Sequence, residues 1–213
     1  MTTVTAVLLS WERRANMPRI IDAIRNQTVS TEIWLINNGG FGHFDADRLI
    51  AIPWNAGEWA RYVFAGRVET EYVMFQDDDF LMTDDGFLAD AIAAHTRHCP
   101  DHILCVSGRV IGHEPPFYNR DVPSGYCHIP KGHFQLFRPG IVRRARIPNH
   151  PSASDIQWAL DTGNGEARHW VDATLRSRMT ELERYGVGYE FRPDHYQERE
   201  RVVEQWLQER VYV

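Results

Sequence analysis

The first half of the chain alternates short apolar runs with segments in which apolar residues recur at helical spacing. Nearly continuous apolar runs are typical of parallel strands that are covered on both faces. The runs are residues 4–9, 32–36, 49–52 and 72–75. This part of the sequence therefore predicts four neighbouring strands of one sheet.

Helices are predicted between these strands. The first helix begins near Met17, with Asn16 as its expected cap and Pro18 in its first turn. Asn55 and Glu58 have the spacing of a capping box, which predicts the start of a helix that continues to about residue 68. Alternating strands and helices indicate an α/β fold, in which a mainly parallel central sheet is flanked by helices.

The second half of the chain is less regular. Helices are predicted over residues 87–98, near residues 155–160 and from about residue 196 to residue 210, with a strand near residues 103–106. The segment 112–132 is rich in Pro, Gly and aromatic residues. We interpret it as a long functional loop, because a linker would leave its aromatic side chains in solvent.

Length and composition change this picture little. With 213 residues and 43% hydrophobic content, the chain is expected to form a single domain over residues 1–213. No apolar run approaches the roughly 20 residues that cross a bilayer, and residues 1–10 lack a signal-peptide pattern, so we expect a cytoplasmic protein without a membrane span. Its three cysteines form no CxxC pair, which argues against a disulfide framework or a cysteine zinc site.

Three consecutive aspartates, Asp77, Asp78 and Asp79, follow the fourth apolar run. Adjacent carboxylates repel one another, so they need a compensating cation. A divalent metal bound by oxygen ligands and bridging a diphosphate would supply it, and ligands of α/β proteins bind beyond the carboxyl ends of parallel strands. The alternative is an Asp-rich turn that caps the next helix. We favour the metal, because Asp84 and Asp85 are better placed for capping.

Several sequence blocks come in a specific order. Residues 10–14 read Ser-Trp-Glu-Arg-Arg after the first strand, and residues 37–40 read Asn-Asn-Gly-Gly after the second. Asn-Ala-Gly at residues 55–57 precedes Arg61, and residues 72–79 end in the aspartate triplet. Together these blocks resemble the start of family 2-type glycosyltransferases, which have the GT-A fold, a Rossmann-like single domain.

The resemblance implies a nucleotide-sugar donor, with a UDP-sugar as the default, and transfer of its sugar to an unidentified acceptor. Residues 1–82 would form the nucleotide-sugar-binding half, and residues 83–213 the acceptor-binding half with the C-terminal helix. The implied donor-binding residues are Ser10, Glu12, Arg14, Asn38, Gly57, Arg61, Asp77 and Asp78. The first four of these would surround the base, and the others would lie near the ribose and the phosphates.

The resemblance also implies a metal cofactor, Mn²⁺ or Mg²⁺. Asp79 would bind the ion, and His195 would be a further metal ligand from the C-terminal region, with His169 as the competing candidate. Gly132 and His133 would lie near the donor sugar and the acceptor.

Asp155 is the candidate catalytic base, because an inverting transfer needs a group that accepts the proton of the acceptor hydroxyl. It resembles the acidic pair from which the family draws its base, although Ser154 replaces the first acid. The equally weighted alternative is a helix N-cap, a position at which Asp is favoured.

Other function classes fit less well. A nucleotidyltransferase with a similar sheet is the main rival, but it usually has a glycine-rich loop after its first strand, and residues 10–14 contain no glycine. The pattern GxxxxGK[ST] of P-loop NTPases is absent. A non-catalytic nucleotide-sugar-binding module remains open. We expect a saccharide or small metabolite as acceptor in preference to a nucleic acid, because the net charge is −6 and the basic run at residues 138–146 is short.

Overall fold

The computed structural model describes residues 2–40, 42–118, 120–146, 153–184 and 193–211. In chain order the strands are β1 (Thr3–Ser10), β2 (Ser30–Asn38), β3 (Arg48–Ile52), β4 (Tyr72–Gln76), β5 (Phe80–Met82), β6 (Leu104–Cys105), β7 (Gly108–Val110), β8 (Arg120–Val122), β9 (Gly125–Cys127), β10 (Ile129–Pro130), β11 (Phe134–Phe137), β12 (His169–Val171) and β13 (Met179–Glu181). The helices are α1 (Met17–Arg25), α2 (Ala60–Ala65), α3 (Phe87–His98), α4 (Gly140–Arg144), α5 (Ser154–Gly163), α6 (Ala173–Arg176) and α7 (His195–Val211).

Within the described residues, the main sheet has eight strands in the order β3-β2-β1-β4-β11-β6-β12-β9. The strands β3, β2, β1 and β4 are parallel to one another, as predicted. Strand β11 is antiparallel to both of its neighbours, β4 and β6. The sheet is thus mixed but mostly parallel, and the prediction of an α/β fold is confirmed.

Successive residues of the central strands pack into different layers, as the period of two in a β-strand requires. On β1, Ala6 and Leu8 belong to a core cluster with the apolar stripe of α1 and with α3. Val7 points to the other face, where Tyr62 of α2 and Trp158 of α5 pack. Helices therefore cover both faces of the sheet, which explains why its strands are apolar at almost every position.

The segment 112–132 is more ordered than the predicted loop. It contributes β8, β9 and β10, and a small sheet forms with the order β10-β7-β8. The cysteines Cys99, Cys105 and Cys127 are buried free thiols. Among the described helices, none combines the length and the apolar character that crossing a membrane would require.

The caps of two helices differ from the sequence prediction. Helix α1 begins at Met17, but the Asn16 side chain makes no cap hydrogen bond; it lies in a 3-10 turn formed by Arg14–Asn16. Helix α2 begins only at Ala60, so Asn55 and Glu58 do not form a capping box. The side chains of Asn16 and Asn55 instead form hydrogen bonds with other segments at the carboxyl edge of the sheet.

Asn16 joins two distant parts of the chain at this edge. Its Nδ2 donates to the backbone oxygen of Asp78, at 2.8 Å, and to that of Glu183, at 2.9 Å. The side chain is 3% exposed. Because water cannot replace these bonds, Asn16 fixes the segment after β4 against the segment after β13.

We expect Asn16→Ala to lower the free energy of unfolding by about 1–3 kcal/mol, because it leaves two buried carbonyls without their donor. Urea denaturation measures the loss. Asn26→Ala is the matched control, since Asn26 is exposed at the end of α1. Equal effects of the two substitutions would show that Asn16 does not hold these segments together.

Candidate functional site

A cavity of about 430 Å³ lies beyond the carboxyl ends of β1, β2 and β4. This is the edge at which ligands of open α/β sheets bind. Residues that line it are Leu9, Trp11, Glu12, Arg13, Asn38, Asn55, Gly57, Glu58, Arg61, Asp77, Asp78, Asp79, Arg109, Tyr118, Lys131, Gly132, His133, Asp155, Arg184, His195, Tyr196 and Arg199. The cavity thus brings together residues from almost the whole length of the chain.

Most of the sequence-predicted site residues line this cavity, but two do not. Ser10 is fully buried at the end of β1. Arg14 donates to the backbone oxygens of Trp11 and Gly39, at 3.0 and 3.2 Å, and so ties together the loops after β1 and β2. Neither side chain lines the cavity, and the expectation that the two border a nucleotide base stays a prediction.

Two asparagines shape one wall of the cavity. Asn38 Nδ2 donates to Asn55 Oδ1 at 2.9 Å, and Asn38 Oδ1 accepts from the Ala56 backbone at 2.7 Å. Asn55 Oδ1 also accepts from the Gly57 backbone at 2.9 Å. Gly57 has a φ of +79°, which side chains rarely adopt. These contacts hold the segment between β3 and α2 against the end of β2.

The aspartate triplet after β4 is paired with arginines from three other parts of the chain. Asp77 Oδ1 accepts from Arg61 Nη2 at 3.0 Å. Asp78 Oδ1 accepts from Arg13 Nη1 at 2.8 Å, and Asp79 Oδ2 lies 3.1 Å from the same nitrogen. Asp79 also pairs with Arg184 at 3.3 Å. The carboxylates therefore bind guanidinium groups and do not cap the next helix.

The triplet offers hard oxygen donors, which fit the preference of Mn²⁺ or Mg²⁺. Burial, together with the negative charge of Asp77, raises the pKa of Asp79 to about 7. Within the described residues, however, no three His, Cys, Asp or Glu side chains are arranged to hold a metal. The donors fit the ion in kind, and Asp79 would have to exchange its arginine contacts for metal contacts in order to bind it.

Gly132 and His133 form the opposite wall. A Cβ on Gly132 would lie 2.7 Å from both carboxylate oxygens of Asp77, so a glycine is needed to leave that carboxylate in its present position. The His133 ring stacks on Phe80 with 4.1 Å between centroids. Burial lowers the pKa of His133 to about 4, so the ring is neutral near pH 7.

Asp155 lies in a buried ion pair at the floor of the cavity. Helix α5 has Ala153 at its cap position, with Asp155 in the first turn, so the cap interpretation of Asp155 is wrong. Its Oδ2 accepts a short hydrogen bond from Arg199 of α7. Glu58 is the neighbouring carboxylate: its Oε2 accepts from Ser154 Oγ at 3.5 Å.

The C-terminal helix forms the remaining wall. His195, Tyr196 and Arg199 of α7 line the cavity, beside Tyr118. Glu200 of the same helix accepts from the backbone nitrogens of Phe117 and Tyr118, at 2.6 and 2.7 Å. The helix and the segment that precedes β8 are therefore fixed to each other.

His169, the competing candidate for a metal ligand, lies in the core. It is fully buried, and its Nε2 lies 3.0 Å from the Ala159 carbonyl, while its Nδ1 accepts from the Ile103 backbone at 3.2 Å. Burial lowers its pKa to about 3. His195 lines the cavity, whereas His169 does not.

The basic run at residues 138–146 also lies away from the cavity lining. Arg138 pairs with Glu71, and the exposed Arg146 pairs with Asp161.

Several cavity residues were not singled out from the sequence. These are Trp11, Arg13, Glu58, Arg109, Tyr118, Lys131, Arg184, Tyr196 and Arg199. The sequence offered a signal for Trp11 and Arg13, because they follow the first strand directly, where ligand contacts are expected. Tyr118 and Lys131 lie in the segment 112–132 that was interpreted as a functional loop. The others reach the cavity through tertiary packing.

No protein-family profile matches this sequence, and no curated protein matches it. Solved structures do match. Residues 1–349 of S. aureus TarS are 14% identical with a TM-score of 0.59, over 81% of this chain and 58% of that one. A mannosyltransferase from Pyrobaculum calidifontis, in complex with GDP-Man and Mn²⁺, is 16% identical with a TM-score of 0.60, over 84% and 56%.

Glucosyl-3-phosphoglycerate synthase from Mycobacterium tuberculosis, in complex with phosphoglyceric acid, is 13% identical with a TM-score of 0.57, over 79% of this chain and 68% of that one. The chain thus spans less than two thirds of the TarS and mannosyltransferase chains. At this level of identity the likeness shows the fold, and the fold is the GT-A fold that the sequence predicted.

We expect Arg199→Met to lower the free energy of unfolding by about 3–5 kcal/mol, because it leaves Asp155 as a buried charge without its partner. The double variant Arg199→Met/Asp155→Leu should regain part of this loss. Denaturant titration at pH 7 measures both. Arg201→Met on the exposed side of α7 is the control, and an Arg199→Met effect no larger than that of the control would contradict the buried pair.

Proposed function

We propose that this protein is a metal-dependent glycosyltransferase that moves a sugar from a nucleotide-sugar donor to a hydroxyl group of an acceptor. The observation that carries the proposal is the cavity at the carboxyl edge of the sheet, where the aspartate triplet and its arginines face a carboxylate pair, Glu58 and Asp155. An inverting glycosyl transfer needs both elements. One stabilises the departing diphosphate, and the other accepts the proton of the acceptor.

The solved structures with the same fold support a nucleotide-sugar as the donor. TarS has been solved in complex with UDP-GlcNAc, and the mannosyltransferase in complex with GDP-Man. A UDP-sugar is our default. In this proposal the nucleotide base of the donor lies beside Trp11, Glu12 and Asn38, because an aromatic ring and hydrogen-bonding side chains are available there. Gly57 brings the backbone close to the ribose.

The arginines of the triplet are suited to the diphosphate. A guanidinium binds phosphate oxygens in a bidentate manner, and Arg13, Arg61 and Arg184 all line the cavity. Asp77 and Asp79 would hold Mn²⁺ or Mg²⁺, with His195 as a further ligand. A bound ion supplies Lewis-acid stabilisation of the leaving diphosphate. Asp78 would keep Arg13 in position.

The acceptor would enter between Gly132, His133 and helix α7. The Tyr118 ring packs against the guanidinium groups of Arg109 and Arg199, at 4.3 and 5.1 Å from its centroid. Aromatic and hydrogen-bonding side chains of this kind suit a saccharide or another small polyhydroxy compound. We therefore keep a small acceptor as the proposal, in preference to a nucleic acid.

A ligand screen tests the proposed function. Purified protein is heated with a panel of UDP-, GDP-, CMP- and dTDP-sugars, with and without Mn²⁺, and the melting temperature is recorded. A ligand that binds the folded state raises that temperature by mass action. The hit is then incubated with the protein, and release of the nucleoside diphosphate is measured. Binding without any release or transfer would favour a non-catalytic binding module.

We expect Asp79→Asn to weaken Mn²⁺-dependent binding of UDP or GDP by more than about tenfold, because the substitution removes a hard oxygen ligand. The fold should be retained, since the substitution also relieves crowding of like charges. Isothermal titration with and without Mn²⁺ measures the affinity. Asp45→Asn, at an exposed position, is the control. Wild-type metal-dependent affinity in the Asp79 variant would refute the metal assignment.

A further inference from the structure

Transfer to a hydroxyl requires a proton acceptor that touches the substrate. Asp155 was the sequence-based candidate, but it is poorly exposed to the cavity. Its side chain is 8% exposed, its Oδ2 is held by Arg199, and its Oδ1 is covered by protein. A hydroxyl group can therefore reach Oδ2 only by displacing Arg199, and Oδ1 only if the protein that covers it moves.

Glu58 is the more accessible carboxylate. It lies in the segment between β3 and α2, lines the cavity, and keeps 20% of its side chain exposed. One oxygen accepts from Ser154 Oγ at 3.5 Å, and the other lies 3.4 Å from Arg61 Nη2. The same Arg61 nitrogen donates to Asp77. One arginine thus connects Glu58 to the aspartate triplet.

We propose that Glu58 is the general base of the transfer reaction and that Asp155 is a positioning residue that acts through it. This inference rests on the proposed function. As the acceptor oxygen forms its bond to the anomeric carbon, the bond from that carbon to the diphosphate oxygen breaks, and its electron pair leaves with the nucleoside diphosphate. The acceptor proton passes to the Glu58 carboxylate and later to solvent.

The surroundings of Glu58 make its carboxylate basic. Burial and the negative charge of Asp155 raise its pKa to about 7, with a smaller contribution from Asp77. Arg61 and Arg199 act in the opposite direction. Charged groups from α2, from the segment after β4, from α5 and from α7 all act on Glu58, and the balance among them and burial favours its protonated form more than water does. A base with a pKa near the working pH is the most effective.

The position of Glu58 also accounts for Ser154. The resemblance to glycosyltransferases calls for two neighbouring acids at residues 154 and 155, and the first is missing. Glu58 contacts the serine that occupies this place. Glu58, which comes from a different segment of the chain, thus supplies the second carboxylate of the pair. Of the two carboxylates it is the more exposed one.

Turnover of the donor identified in the screen tests the proposal, with water or an acceptor as the nucleophile. Glu58→Gln should lower kcat by about 10²- to 10⁴-fold, the usual contribution of a general base. Affinity for the nucleoside diphosphate should change by less than about threefold, since the amide keeps the shape of the side chain. Glu69→Gln, at an exposed position outside the cavity, is the control. A Glu58→Gln enzyme with wild-type kcat would overturn the proposal.

The pH profile separates the two carboxylates. In the wild type, kcat/KM should rise with pH through about 7, because only ionised Glu58 accepts a proton. Asp155→Asn removes the neighbouring negative charge, so the midpoint should move to lower pH while turnover persists. An Asp155→Asn enzyme without turnover, together with an active Glu58→Gln enzyme, would reverse the assignment.

The pH dependence of stability can be measured without substrate. It therefore tests the assignment of Glu58 even if the protein is not a glycosyltransferase. Because its pKa is raised on folding, Glu58 contributes stability that is full below the unfolded value of 4.5 and is lost as pH rises through about 7. Urea denaturation of the wild type should show this loss, and Glu58→Gln should show a smaller one, because the raised pKa of Asp79 contributes in both proteins. If the free energy of unfolding depends on pH equally in the two proteins, the pKa of Glu58 is not raised, whatever the ligand screen finds.

Discussion

The electrostatic cost of three adjacent carboxylates at the end of β4 is the constraint on which the rest of the structure depends. Arg13 reaches the triplet from the loop after β1, Arg61 from α2, and Arg184 from the segment after β13. Because each arginine belongs to a different element, the charges can be balanced only when these elements have assembled around the carboxyl edge. Ion pairs of this kind contribute little net stability, but they determine which segments meet there.

The same edge joins the two halves of the chain. Arg61 pairs with both Asp77 and Glu58, and Arg199 pairs with Asp155, so ion pairs lie along the edge from the end of β4 to the C-terminal helix. The carboxylates and arginines of this series thus balance one another's charges.

How far the sequence predicts this arrangement depends on the range of the interactions. The parallel strands can be predicted, because a strand that is buried on both faces needs a local apolar run. The aspartate triplet can be recognised as well, because it directly follows such a run in the sequence. Asn16 and Glu58 were mistaken for helix caps, since a polar residue before a helix has the same local pattern whether it bonds the helix or a distant segment. The pairing of Asp155 with Arg199 has no local signature, because the two residues meet only through the packing of α7 on α5.

Helix α7 has two neighbouring residues with different tasks: Arg199 neutralises the floor of the cavity, and Glu200 holds the backbone at Phe117 and Tyr118. The helix therefore holds a neighbouring segment in place and at the same time supplies a positive charge to the cavity. Any excursion that opened this wall would withdraw a positive charge from the carboxylate pair and free two backbone donors in the same movement. A movement of α7 would therefore change both the access to the cavity and the positive charge that faces Glu58 and Asp155.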